Sequence, residues 1–166
     1  RNKFIKNLAV SLGNNTLILY QMVAKHGQVL YDMIRNTEKI GDRKVFFVHG
    51  GTDTADREQI REIMEKENDA IVVASYGTFS TGINIRNLHN IIFASPSKSR
   101  VRNLQSIGRG LRKSSGKEQA TLYDTADDFR IGKHMNFTLK HFVERVRIYT
   151  DEKFPYKIYK IGLKNG

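Results

Sequence analysis

The sequence predicts an α/β fold, a doubly wound parallel sheet flanked by helices, and three observations carry that expectation. Five short runs are apolar almost throughout rather than at alternate positions, as strands buried on both faces are: Thr16 to Tyr20, Val45 to Val48, Ile71 to Ala74, Ile91 to Ala94 and Ala120 to Tyr123. Most of the segments between them repeat their apolar residues at helical spacing. Glycines and hydroxyl side chains crowd just after the strands, at the carboxyl ends where sheets of this kind gather ligands.

Taken in order, Arg1 to Leu12 is an amphipathic helix with Phe4, Ile5, Leu8 and Leu12 on one side, stopped by Gly13-Asn14-Asn15. The first strand follows. Ala24 to Ile34 returns to helical spacing with Val29, Leu30, Met33 and Ile34 inward. The second strand ends abruptly at His49-Gly50-Gly51, and a helix then runs from Thr54 to about Glu67, with Asp56 and Glu58 placed to complement its dipole. The third and fourth strands bracket a turn rich in hydroxyls and glycine. After the fourth, Lys98 to Arg112 plots as a helix with Val101, Leu104, Ile107 and Leu111 on one stripe and Lys98, Arg102, Gln105, Arg109 and Arg112 on another. Met135 to Tyr149 is a last helix with Met135, Leu139, Phe142, Val143, Val146 and Tyr149 on one apolar stripe and Lys140, Arg145 and Arg147 off it. Phe154 to Ile161 fits an edge strand that tolerates Pro155, although its aromatics interleaved with lysines also suit stacking on nucleic-acid bases.

With 166 residues and 39% hydrophobic content the chain buries one substantial core. The domain is expected at 1–130, with 131–166 a helix and strand extension packed on it. The absence of cysteine excludes a disulfide framework and a thiolate zinc site, and His49 has no second ligand at a helpful spacing, so no metal site is expected. No apolar run reaches membrane-spanning length and Arg1-Asn2-Lys3-Phe4 lacks signal-peptide shape, which predicts a cytoplasmic protein without a membrane partner. A net charge of +11 favours a polyanionic partner. It is unevenly spread. Ala70 through Lys117 contains no Asp or Glu, yet holds Arg86, Lys98, Arg100, Arg102, Arg109, Arg112, Lys113 and Lys117.

Three segments carry candidate chemistry. Gln105-Ser106-Ile107-Gly108-Arg109-Gly110-Leu111-Arg112 puts an amide and permanent cations on one face, and its two glycines each weaken a helix by about 1 kcal/mol, so they favour close backbone approach or an early helix end. His49-Gly50-Gly51-Thr52, with Arg57 on the next helix, offers backbone amides and a hydroxyl suited to phosphate, though an ordinary strand-to-helix turn also wants these residues. Ala74-Ser75-Tyr76-Gly77-Thr78-Phe79-Ser80-Thr81-Gly82-Ile83-Asn84-Ile85 is the third.

In their order along the chain, with the Ala74 segment between the other two, the segments resemble signature motifs of superfamily 2 helicases, in the second of their two RecA-like motor domains. The resemblance spans about Thr16 to Asp128. With Arg1-Asn2-Lys3, Ile71 to Gly77, Leu88-His89 and Asp151 to Phe154, the chain is similar to the UvsW-type recombination and repair DNA helicases of T4-like phages. The resemblance implies that Arg109 and Arg112 reach the phosphates of ATP across a cleft, with Gln105 a polar partner there, since a guanidinium fork matches phosphoryl oxygens. It implies that Thr81, Gly82 and Asn84 lie near the ATP cleft, Asn84 standing where many members have aspartate. It implies that Gly50, Gly51, Thr52, Arg57 and Ser75 grip the nucleic-acid backbone. No Gly-x-x-x-x-Gly-Lys-Ser/Thr phosphate loop occurs, so ATP and Mg²⁺ are expected to be bound mainly by an absent N-terminal motor domain, and this chain to be the second half of an engine acting on branched DNA. A non-catalytic basic α/β module that binds nucleic acid or docks a partner is the competing expectation.

Overall fold

The computed structural model describes residues 1–82, 85–95 and 120–162. The elements are α1 (Asn2–Ser11), β1 (Thr16–Tyr20), a π-helical turn (Val23–Gly27) running into α2 (Gln28–Arg35), a 3₁₀ turn (Glu38–Ile40), β2 (Val45–Val48), α3 (Thr54–Lys66), β3 (Ile71–Ser75), α4 (Tyr76–Gly82), β4 (Asn90–Phe93), β5 (Thr121–Asp124) and α5 (Phe137–Asp151). The five strands form one parallel sheet in the order β2-β3-β1-β4-β5. This is the doubly wound sheet expected from the near-continuous apolar runs.

Burial follows strand position. β1 and β4 are buried at every residue and β3 at all but its last, whereas the edge strands β2 and β5 are mostly half-buried. Successive residues of β1 point to opposite faces. Leu17 and Leu19 join Val72, Ala74, Ile91 and Phe93 on one face, covered by Met64 of α3, by Tyr76 and Phe79 of α4, and by Ile85 and Leu88. Ile18 and Tyr20 join Ile71, Val73 and Ile92 on the other, covered by Ile5 and Ala9 of α1 and Leu30 and Ile34 of α2. Each fully buried aliphatic side chain contributes about 1.5–3 kcal/mol.

The amino edge of the sheet is tied by asparagines. Asn15, fully buried, accepts from the Ala70 amide at 3.0 Å and shares its amide protons among the carbonyls of Met64, Glu67 and Asn87 at 2.7–3.0 Å. Asn87 donates to Met64 and Glu67, and Asn90 to Gly13. Asn14 takes a positive φ of 68°, the left-handed stop expected after α1. Arg43 donates to the carbonyls of Ala9 and Val10 at the end of α1, where a cation complements the dipole, and pairs with Asp69 at 2.8 Å.

Several expectations need correction. Val29 is exposed, because the helix around it begins as a π turn, which shifts the face it presents. Glu58 lies beyond the first turn of α3 and pairs with Arg61. Met135 precedes α5 and is exposed. Arg145, expected off the apolar stripe, is the buried residue of α5, because it meets the Asp124 carboxylate at the end of β5. Residues 154–162 form no strand; Tyr156 instead lies against α5, its ring tilted on Tyr149 and its hydroxyl 3.0 Å from that of Thr150.

Candidate functional site

Strand register sets which turns meet at the carboxyl edge. Val48 of β2 is opposite Ala74 of β3, so the turn starting at His49 stands beside Ser75. The turn closes with the Thr52 amide donating to the His49 carbonyl at 3.0 Å. The His49 amide donates to the Thr52 hydroxyl at 3.1 Å, and among the described residues nothing accepts the Thr52 hydroxyl proton. Of the two glycine amides, Gly51 donates to His49 Nδ1 at 3.0 Å, which places the ring proton of a neutral His49 on Nε2. The Gly50 amide has no acceptor among the described residues.

The turn is braced from both sides. Arg57, half-buried in α3, donates to the Gly50 carbonyl at 2.9 Å and the His49 carbonyl at 3.4 Å. From the opposite side the Tyr20 hydroxyl donates to the Val48 carbonyl at 3.1 Å, its ring stacked on Phe47, which in turn touches Tyr31 and His49. Burial raises the Tyr20 hydroxyl well above the usual tyrosine range, keeping it a donor. Tyr20 has room because position 27 is glycine: a Cβ there would sit 2.4 Å from the ring. The turn therefore presents the Gly50 amide and the Thr52 hydroxyl on a fixed frame.

Ser75 caps α4. Its hydroxyl accepts from the Thr78 amide at 3.2 Å and lies 2.7 Å from the buried Thr78 hydroxyl, the arrangement that satisfies a helix's unpaired first-turn donors. Thr81 and Gly82 are the last residues of α4. Asn84, Gln105, Arg109 and Arg112 lie outside the described residues. So Gly50, Gly51, Thr52, Arg57 and Ser75 are brought together, while the candidate nucleotide contacts are represented by the end of α4. Among the described residues, no three His, Asp or Glu side chains converge to hold a metal ion.

Two clusters at the same edge went unread in the sequence. His26, half-buried in the π turn, bonds Ser95 Oγ after β4 through Nδ1 and the Asn2 side-chain oxygen through Nε2 at 3.1 Å. Burial, and then the neighbouring Arg1 charge, lower its pKa below the ordinary histidine value. Arg1 donates to the Ala94 carbonyl at 2.5 Å and pairs with Asp127 at 2.8 Å. At β5, Asp124 receives two bonds from Arg145, at 2.7 and 2.9 Å, and a third from the Tyr149 hydroxyl at 2.7 Å. Burial, then the Asp124 charge, push the Tyr149 hydroxyl far above the tyrosine range. The signal for the first cluster was a His-Gly pair inside a helical pattern; for the second it was an arginine at i+3 from Phe142 and an acid closing a strand.

Known proteins bear on this arrangement. Residues 1–114 match the family model described as the helicase conserved C-terminal domain. The chain is 37% identical, over 98% of its length, to the ATP-dependent DNA helicase uvsW of Enterobacteria phage T4, and spans about a third of it, 34%. The crystal structure of T4 UvsW superposes with a TM-score of 0.76 at 36% identity, covering 91% of this chain and 32% of that one. Two structures share the fold alone: domain 2 of the DEAD-box helicase Mss116p bound to an RNA duplex, TM-score 0.54 at 20% identity over 74% of this chain and 45% of that one, and the C-terminal part of the Fun30 ATPase domain, TM-score 0.57 at 12% over 90% and 53%. Among the described residues no helix is long and apolar enough to cross a membrane.

Proposed function

The chain belongs to the helicase conserved C-terminal domain family, and from that premise we propose that it is the second RecA-like motor domain of an ATP-dependent DNA helicase that remodels branched DNA in recombination, repair or replication restart. The supporting observation is the adjacency, at the carboxyl edge of the sheet, of the braced His49–Thr52 turn and the Ser75 cap. A turn held this way offers donors to a phosphate without reordering, so contact with a DNA backbone costs little entropy and reads no sequence. The Gly50 amide and Thr52 hydroxyl make the phosphate contacts; Gly51, Arg57 and Ser75 hold the shape of the grip.

The nucleotide half of the reading rests on sequence. Arg109 and Arg112 direct guanidinium groups at the phosphates of ATP, with Gln105, Thr81, Gly82 and Asn84 lining the same cleft. ATP and Mg²⁺ supply the hydrolysis that drives movement, and the phosphate loop and acidic Mg²⁺ ligands that hold them belong to an N-terminal motor domain of the same polypeptide. That division agrees with the chain spanning about a third of its T4 relative, and with the absence of a phosphate-loop motif here. The working compartment is the cytoplasm of a bacterial or phage-infected cell.

The test is steady-state ATPase beside a thermal melt. This chain alone shows no DNA-stimulated turnover. Arg112→Ala in the two-domain protein lowers turnover by about 10³ to 10⁵ with ATP and DNA binding largely kept, and Arg112→Lys does not restore it, because an ammonium lacks the planar fork. A folded Arg112→Ala protein with near-normal turnover would remove the assignment, and turnover by the isolated chain would remove the division of labour.

A further inference from the structure

The segment beyond β5 leaves aromatic rings in solvent. Phe129, Phe137 and Tyr159 are 71%, 72% and 73% exposed, and Ile131, Ile158 and Ile161 in the same stretch of chain are exposed too. Large exposed rings concentrated in one stretch of chain mark a surface that meets a ligand. These rings are not on loose chain. Asn136 accepts from the Phe129 amide at 3.0 Å and donates to the Asp127 carbonyl at 2.9 Å, where the Thr138 hydroxyl also donates at 3.0 Å. The residues between close on themselves through paired bonds of Ile131 and His134, with Gly132 at the positive φ such a tight turn needs. Phe137 begins α5 with its ring against His141. The tail returns to this loop: Tyr156 is seated on α5, and Lys160 joins the bidentate partner Arg130 in holding the Asp128 carboxyl below its ordinary range.

Charge selects among ligands. Between residues 129 and 162 eight Lys and Arg stand against three Asp and Glu; Arg130 and Arg145 are paired with Asp128 and Asp124, and Lys133, Lys157 and Lys160 interleave with the apolar side chains. The core of a protein-docking patch is depleted of lysine. Rings alternating with flexible cations instead match a strand that offers a base face and a phosphate at every step. We propose that Phe129, Phe137 and Tyr159, with Lys133 and Lys160, form a second DNA surface that stacks the unpaired bases of single-stranded DNA, separate from the strand-end turns. The inference rests on the nucleic-acid part of the reading above and not on its nucleotide chemistry. A preorganised loop limits the ordering cost, and a motor working at a branch gains a place to hold one separated strand.

The experiment is titration of the full chain with fluorescein-labelled oligothymidylate and with a blunt duplex, across a salt series. The triple variant Phe129→Leu/Phe137→Leu/Tyr159→Leu keeps apolar bulk at exposed sites, so its melt stays unchanged, but it lacks ring faces. Affinity for the single strand falls by about five- to a hundred-fold per stacked base, duplex affinity changes little, and the salt slope is kept, since no phosphate contact is lost. Lys133→Gln/Lys160→Gln lowers that slope by about 2. The chain has no tryptophan, so tyrosine emission is readable, and quenching by oligothymidylate disappears in Tyr159→Leu. Unchanged single-strand affinity in the folded triple variant overturns the proposal, as does an equal loss on single strand and duplex, or a change confined to self-association. Failure of the nucleotide assignment shows separately, in the turnover of Arg112→Ala.

Discussion

Removing the Asp124 carboxylate leaves Arg145 as a buried cation without an anion. Its side chain is 1% exposed and that of Asp124 8%, so solvent replaces little of the lost interaction, and the Tyr149 hydroxyl loses its acceptor in the same step. Breaking a buried pair from one side costs about 3–5 kcal/mol, against at most about 1 for an exposed pair. At roughly 2–4 °C per kcal/mol for a chain of this size, Asp124→Ala lowers the melting temperature by about 6–20 °C. Arg145→Lys recovers only part of the Arg145→Met loss, since one ammonium cannot span both carboxylate oxygens. Asp124→Leu with Arg145→Met should lie much nearer the parent than the sum of the single losses, because two apolar groups need no partner. The assay is a thermal melt of the parent and the four variants at low and high salt, and the single-mutant losses hold at both because the pair is little screened. Single mutants within about 2 °C of the parent, or a double mutant as poor as the sum, would refute the reasoning. The same melts bear on domain organisation. If α5 is part of one cooperative unit with the sheet, as we propose for 131–166 packed on 1–130, the mutants unfold in one shifted transition rather than two.

Gly27→Ala pushes a methyl into the Tyr20 ring, which is fully buried and fixed at its hydroxyl; it destabilises by about 1–3 kcal/mol in denaturant melts, whereas Gly13→Ala, where a Cβ meets nothing, is near neutral. His26 has a folded pKa below its unfolded value, so the unfolded chain binds the proton first: the contribution of His26 to stability is complete above about pH 6.5 and declines as pH falls from there toward the folded pKa. The difference in melting temperature between the parent and His26→Gln therefore narrows on acidification through that window, and a constant difference refutes it. Thr52→Ala with Ser75→Ala in the two-domain protein weakens DNA binding about tenfold, alike for unrelated sequences, with basal ATPase kept; unchanged affinity in filter binding assigns both residues to structure alone.

The sheet was legible because burial on both faces removes the alternation that a half-exposed strand shows, leaving Leu17-Ile18-Leu19 and Val72-Val73 as plain apolar runs. The two strand-end turns were legible as turns because glycine and hydroxyl residues after such a run close the chain and cap the helix that follows. Tertiary partners were not. Arg145 plots off the apolar stripe because a charge is normally excluded from a core, and only the distant Asp124 makes its burial tolerable. Asn15 was read as a helix stop, although its side chain gathers donors and acceptors from four separate places in the chain. Val29 was misplaced because a π turn and an α turn have the same apolar residues at different angles. The tail was read as a strand from its β-favouring residues, but a strand needs a free edge in register, and Tyr156 is held by α5 instead.

The strand order has a consequence for synthesis. β1 is made first of the five strands, yet it lies at the centre, paired with β3 and β4, and the Asn90 side chain that meets Thr16 is 74 residues later. At about 5–20 residues per second, a ribosome takes roughly 4–15 s to deliver that partner. Until then β1 can pair only with β3, along one edge, and its other edge waits for β4. The central strand is therefore flanked on both edges only when β4 arrives. Chains cut short before Asn90 have a middle strand open along one whole edge, a template for pairing with another copy rather than a smaller version of the domain.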